Sequence, residues 1–225
     1  MERILIFGAS GFIGQHLFRE LQPYFDVYGT FCHATAYEKN QRYCPFDIRE
    51  ESPLHIVKQL KPTIIISALR SDFAEQIVFH EILTEYISKN KIKLFFLSSA
   101  NVFDAFTNYP SYEHDKTLSE SIYGRLKIKI ENRVMRMPKH LWAILRLPMV
   151  FGAQSPRLQE IKTQFGNGST LQITTDIWPC YSVITNCPNT YILIPNKYCQ
   201  IVWACIQQIE IRLIFISLFI FVQTH

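Results

Sequence analysis

With 225 residues and 26.4 kDa, the chain suits one α/β domain of full size or one and a half smaller ones, with a buried core. Its 48% hydrophobic and 19% charged composition excludes a disordered polar chain, and a net charge of +4 is too small to imply a nucleic-acid partner. The charge is uneven: residues 1–150 carry 35 charged side chains and residues 151–225 only 7.

In chain order, Arg3–Phe7 is a continuous apolar run that predicts a buried strand, and Phe12–Leu21 predicts a helix after a glycine loop. Val27–Phe31 is a second strand. Ser52-Pro53 is a helix start, with Ser as N-cap and Pro in the first turn, followed by Leu54–Leu60. Thr63–Ser67 is a third strand, and Phe73–Ser88 carries apolar residues at helical spacing. Ile92–Ser98, Thr117–Arg136 and Leu141–Leu147 complete the set as strand, long helix and strand. Apolar strands alternating with helices predict a doubly wound parallel sheet, an α/β fold of the Rossmann type.

Met1-Glu2-Arg3 is followed by only four apolar residues before Gly8, short of a secretory signal, so the reducing cytosol is the expected compartment. The six cysteines (32, 44, 180, 187, 199 and 205) are then expected as free thiols. They contain no CxxC spacing, and no metal site is expected from them.

Three of the eight glycines fall in Gly8-Ala9-Ser10-Gly11-Phe12-Ile13-Gly14, between the first strand and its helix. Glycine here permits a tight turn, close approach of backbone amides to a pyrophosphate, and helix–strand packing. Tyr123 and Lys127 stand at i and i+4 on the long helix, hence on one face. An ammonium beside a phenol lowers its pKa and suits it to proton transfer. Tyr112 and Lys116 share that spacing but follow Pro110 in a polar loop. Ser98-Ser99 ends the fourth strand, where ligands gather in open α/β sheets, and Ser99 precedes Tyr123 by 24 residues.

The G-x-x-G-x-x-G spacing, Ser99 and the Tyr123-Gly124-Arg125-Leu126-Lys127 motif together resemble the extended short-chain dehydrogenase/reductase superfamily. The stretch Phe96-Leu97-Ser98-Ser99-Ala100-Asn101-Val102-Phe103-Asp104 resembles the S-T-D-Y-V-F-D-G signature of its dTDP-4-dehydrorhamnose reductase branch. Ala100 and Asn101 replace the Asp and Tyr of that signature, and Leu147-Pro148 looks more like the wider sugar-nucleotide epimerases.

The resemblance implies Ser99, Tyr123 and Lys127 as catalytic residues, with Ser98 as the rival of Ser99. It implies a cofactor held by Gly8, Ser10, Gly11, Phe12, Ile13, Gly14, His33, Asp47, Ile48, Ala68, Leu69, Tyr123 and Lys127. No acid follows the second strand before Glu38, while His33, Lys39 and Arg42 are near, which favours NADPH over NADH. The implied activity is reduction of a keto group on a nucleotide-linked sugar, with a homodimer as one assembly. An NAD-retaining epimerase or dehydratase, and a non-catalytic cofactor-binding protein, are the alternatives.

The expected division is a cofactor domain over 1–152, a partial substrate region over 153–186 and a divergent tail over 187–225. Within it, Arg157–Asp176 is expected to give a helix, a turn and a strand at Leu171–Thr174. The apolar run Leu213–Val222 is half a bilayer span. It reads as a core or interface strand, as a membrane segment, or as an ending altered from that of the family.

Overall fold

In a computed structural model of the chain, the described residues are 1–105, 111–112, 114–147, 150, 155, 159–160, 163 and 190–192. The expected helix and strand between Arg157 and Asp176, the Leu147-Pro148 junction beyond Leu147, and the apolar run Leu213–Val222 lie wholly or largely outside them.

Seven parallel strands form one sheet: β1 (Arg3–Phe7), β2 (Asp26–Phe31), β3 (Tyr43–Pro45), β4 (Ile64–Ser67), β5 (Lys93–Ser99), β6 (Trp142–Leu147) and β7 (Thr190–Ile192). Their spatial order is β3-β2-β1-β4-β5-β6-β7. The helices are α1 (Phe12–Leu21), α2 (Pro53–Leu60), α3 (Phe73–Asn90) and α4 (Ile122–Val134). The doubly wound Rossmann-type fold expected from the sequence is the one observed.

Strand alternation divides the core. Leu5, Phe7, Ile65, Leu94 and Phe96 face Ile56 and Val57 of α2, Phe79 and Leu83 of α3, and Leu126 and Ile130 of α4. Ile4, Ile6, Ile64, Ile66 and Phe95 face Leu17, Phe18 and Leu21 of α1. Burial on both faces explains why these strands read as unbroken apolar runs rather than alternating ones.

The chain leaves β1 to one side through β2 and returns to its other side at β4, so the strand order reverses between β1 and β4. A crevice at the carboxyl ends of the strands is the outcome of such a reversal. The glycine loop and Ala68–Leu69 both sit there, following β1 and β4.

One expectation is corrected, and two further strands are present. The long helix begins at Ile122 rather than Thr117: Leu118 N–H bonds the Val102 carbonyl (2.9 Å) and Glu120 N–H bonds Asp104 Oδ1 (2.7 Å), which hold that segment as a loop. Ser121 then caps α4, accepting from Gly124 N–H at 3.0 Å. Tyr43–Pro45, for which no element was expected, is an edge strand paired with Gly29–Phe31. Thr190–Ile192 pairs with Ile144–Arg146 as β7, in a region where no element was expected.

Candidate functional site

The glycine loop is held by its neighbours as well as by its own residues. Gly8 has φ +82, the left-handed region, and a Cβ there would lie 2.7 Å from the Ala68 carbonyl oxygen. A Cβ at Gly14 would overlap the Gly8 carbonyl oxygen, so glycine lets α1 pack directly on the turn. Thr30 of β2, 1% exposed, accepts from Gly8 N–H through its hydroxyl (3.0 Å) and from Ser10 N–H through its carbonyl (3.3 Å). Sequence reasoning missed Thr30; a threonine in a buried run was its only signal.

Gly11 is the N-cap of α1, offers no capping side chain, and is followed by no acid in the first turn. The first-turn amides of Phe12, Ile13 and Gly14 thus face the loop with the positive end of the helix dipole. Gly8 and Gly14, where a Cβ would meet the protein's own backbone, keep the turn tight, and the uncapped first-turn amides beside it supply the donors a pyrophosphate needs. The residues present therefore fit a dinucleotide.

At the end of β5 the predicted residues divide in two. Ser98 donates to Glu131 Oε1 at 2.5 Å and is buried, so its hydroxyl is committed to α4. Ser99 donates to Asn101 Oδ1 (2.9 Å) and accepts from Asn101 N–H (3.2 Å), in the short turn that follows the strand. Both serines are buried; they differ in partner, Ser98 bonding Glu131 of α4 and Ser99 the Asn101 turn.

Lys127 is 4% exposed, donates to the Leu97 carbonyl at 3.0 Å, and lies 4.8 Å over the Phe96 ring and 5.6 Å from the Tyr123 ring centre. Burial depresses its pKa from 10.5 to about 8, with the Glu131 carboxylate opposing the shift. Tyr123 is 40% exposed, on the same face one turn earlier. Its pKa is raised by burial and lowered in part by Arg70. The expected lowering of the phenol by Lys127 is therefore not met in this arrangement. No hydrogen bond joins Tyr123 to Lys127 or to Ser99 among the described residues. Tyr112, the decoy, is exposed and lies outside any helix.

Behind these groups lies a buried ion pair that the sequence did not reveal. Arg146 of β6 donates through Nε (3.1 and 3.2 Å) and Nη2 (2.8 Å) to the carboxylate of Glu131, which is fully buried. The pair ties α4 to β5 and β6 one turn beyond Lys127. His80 of α3 is also buried: Nδ1 donates to the Gln76 carbonyl (2.6 Å), so Nε2 accepts from the Ser67 hydroxyl (2.9 Å). Burial drives its pKa down to about 3, which makes it neutral.

The remaining predicted positions lie along the crevice. Ala68 donates its N–H to the Phe7 carbonyl (2.9 Å), and with Leu69 it backs Gly8. Ile48 packs against the core beneath α2 and α3. Asp47 accepts from Arg49 Nε (3.0 Å), Nη2 (2.7 Å) and backbone N–H (2.9 Å), and those bonds hold its carboxyl well below the usual range. His33 is exposed after β2. Arg42, one of the expected cations here, instead pairs with Asp26 and covers the Tyr28 ring at 4.9 Å, pointing away from the loop.

The family model described as the RmlD substrate binding domain matches residues 1–177. The chain belongs to the RmlD family. No curated protein matches it. Among solved structures, a Thermus thermophilus UDP-glucose 4-epimerase in complex with NAD aligns at TM-score 0.62 and 17% identity, covering 80% of this chain and 65% of that one. A Bacillus anthracis dTDP-4-dehydrorhamnose reductase in complex with NADP aligns at TM-score 0.53 and 20% identity, covering 75% and 61%. The Bordetella bronchiseptica enzyme WbmG in complex with NAD gives 0.57 and 18%, covering 80% and 62%. At these identities the structures establish the fold. This RmlD-family chain spans less than two thirds of the length of each. No helix among its described residues is long and apolar enough to cross a membrane.

Proposed function

We propose that this RmlD-family chain binds NADPH in preference to NADH and reduces a keto group of a nucleotide-linked sugar. The observation that carries the reading is the common placement of two features at the carboxyl edge of the sheet. One is the glycine loop after β1; the other is the Ser99, Tyr123 and Lys127 group at β5 and α4, with β4 between them.

The first-turn amides of Phe12, Ile13 and Gly14 and the Ser10 hydroxyl would hold the pyrophosphate. Ala68 and Leu69 would line its path, Asp47 and Ile48 would meet the adenine, and His33 would meet the 2′-phosphate. When bound, the cofactor supplies a hydride. Tyr123 would give its phenolic proton to the carbonyl oxygen as that oxygen gains charge, and Ser99 would orient the oxygen by hydrogen bonding. Lys127 would hold the ribose, and its charge would stabilise the tyrosinate that proton transfer leaves.

This assignment divides the chain into the cofactor domain over 1–152, a partial substrate region over 153–186 and a divergent tail over 187–225. The test is Tyr123→Phe in the full chain, supplied with NADPH and a dTDP-linked 4-keto-6-deoxy sugar. Turnover should fall by at least a thousandfold while NADPH affinity, read by fluorescence, stays within about twofold. Undiminished turnover would overturn the assignment.

A further inference from the structure

Three side chains of different chemistry meet at the other end of the crevice. Cys32 and His33 follow β2 directly, and Asp47 stands two residues beyond β3. The parallel register that pairs Phe31 with Pro45, continued by the 2.8 Å bond from Phe46 N–H to the Phe31 carbonyl, brings the two strand ends together. One sulfur, one imidazole nitrogen and one carboxylate oxygen from these residues all lie within 4.8 Å of one another. Cys32 Sγ is 3.4 Å from His33 Nε2 and 3.6 Å from Nδ1.

The donor set selects a metal class. Thiolate, imidazole and carboxylate together suit Zn²⁺, whereas Mg²⁺ and Ca²⁺ require oxygen donors throughout. Bonds of about 2.0–2.3 Å at tetrahedral angles separate ligand atoms by roughly 3.3–3.8 Å. The observed spacing must therefore close by about 1.5 Å at most. Rotation of Cys32 and His33 can supply this, because both are exposed. One thiolate and one carboxylate balance the charge of the ion, and three protein ligands leave the fourth position to water.

Arg49 is the competing partner of Asp47. Its side chain is 50% exposed, so the pair is a surface one, and Arg49 can turn to solvent at small cost.

We propose that Cys32, His33 and Asp47 bind one Zn²⁺ per chain, and that Zn²⁺ and the dinucleotide exclude one another. The ion replaces the thiol proton of Cys32, which passes to the buffer. Exclusion follows because Asp47 and His33 cannot ligate the ion and meet the adenosine end of the cofactor together. That second half rests on the function proposed above; the metal site itself does not.

The test titrates the full chain, reduced with a non-thiol reductant, with Co²⁺ as a spectroscopic probe. One equivalent should produce a thiolate-to-cobalt absorption band that Zn²⁺ bleaches. Cys32→Ser should abolish the band, His33→Ala should weaken binding at least tenfold, and Cys44→Ser should leave it unchanged. A band that persists in Cys32→Ser, or no band in the unaltered chain, would overturn the site. With Zn²⁺ at ten times its own Kd, the apparent Kd for NADPH should rise about tenfold in the unaltered chain and not in Cys32→Ser. An intact band with unchanged NADPH affinity would overturn the exclusion. An intact band in a chain that never binds NADPH would refute the proposed function and leave the metal site standing.

Discussion

The ion pair between Glu131 and Arg146 offers the sharpest test of how α4 is fixed to the sheet. Both side chains are almost fully buried, at 0% and 3% exposed, and Glu131 also accepts from Ser98. At the 2.8 Å separation of Nη2 and Oε2, an effective dielectric of about 20 gives an attraction on the order of 6 kcal/mol. Desolvation of the two ions offsets most of this, so the intact pair adds little net stability. Breaking it is another matter. Arg146→Met leaves the Glu131 carboxylate in the interior with Ser98 as its hydrogen-bond donor, and should cost about 3–5 kcal/mol. With a urea m-value of about 3 kcal/mol/M for a chain of this size, the midpoint should fall by roughly 1–1.7 M. Adding Glu131→Leu to Arg146→Met removes the stranded charge and should recover at least half of that loss. Urea melts of the parent, both single variants and the double variant form the cycle. A midpoint shift below about 0.3 M in Arg146→Met, or no recovery in the double variant, would refute the reasoning.

Other outcomes follow from the same geometry. The depression of the Lys127 pKa from 10.5 to about 8 means the folded state disfavours the ammonium, so the unfolded chain binds more protons between those values. Stability should therefore rise with pH from about 8 to 10.5. Lys127→Met should stabilise the protein by about 1–3 kcal/mol at pH 7, with the gain gone near pH 10.5, as read by thermal melts across pH. Ser98→Ala removes a buried donor to a carboxylate and should cost about 1.5–3 kcal/mol in urea melts, whereas Ser99→Ala should cost under about 1 kcal/mol and lose turnover. Gly14→Ala forces a Cβ onto the Gly8 carbonyl and should weaken NADPH binding at least tenfold by fluorescence titration, with a stability loss of about 1–3 kcal/mol.

The strands and helices of the sheet were legible because two-sided burial leaves long apolar runs, and the glycine loop was legible because its spacing is local. Tyr43–Pro45 was not, since it is three residues long and contains a proline, which an edge strand tolerates and a central one does not. The start of α4 was misplaced because Thr117–Glu120 has no helix-breaking residue. Bonds to Val102 and Asp104, on the turn after β5, decide its path instead. Tyr123 and Lys127 could be read from an i, i+4 spacing. Glu131 and Arg146 could not, because their partnership joins a helix to a strand 15 residues away and depends on how the two pack. Arg42 failed in the opposite sense: nearness in sequence to His33 did not predict that Asp26 and Tyr28 would claim it.

The distribution of buried charge also bears on where the chemistry lies. Most of the core around β1, β4 and β5 is aliphatic or aromatic, yet Lys127, Glu131 and Arg146 are all buried against the end of β5 and β6. An apolar trio of similar volume would hold α4 to the sheet at least as firmly. Packing alone therefore does not account for Lys127, whose burial opposes its own charge. Under the proposed reaction, a ligand that gains from an ammonium at this place would. Glu131 then has a second effect besides pairing with Arg146: one turn from Lys127, its charge limits how far the lysine pKa falls. Near neutral pH the lysine thus keeps most of its protons. On the proposed function, Lys127 is the cation beside Tyr123, and the cost of its burial belongs to that reaction rather than to the fold.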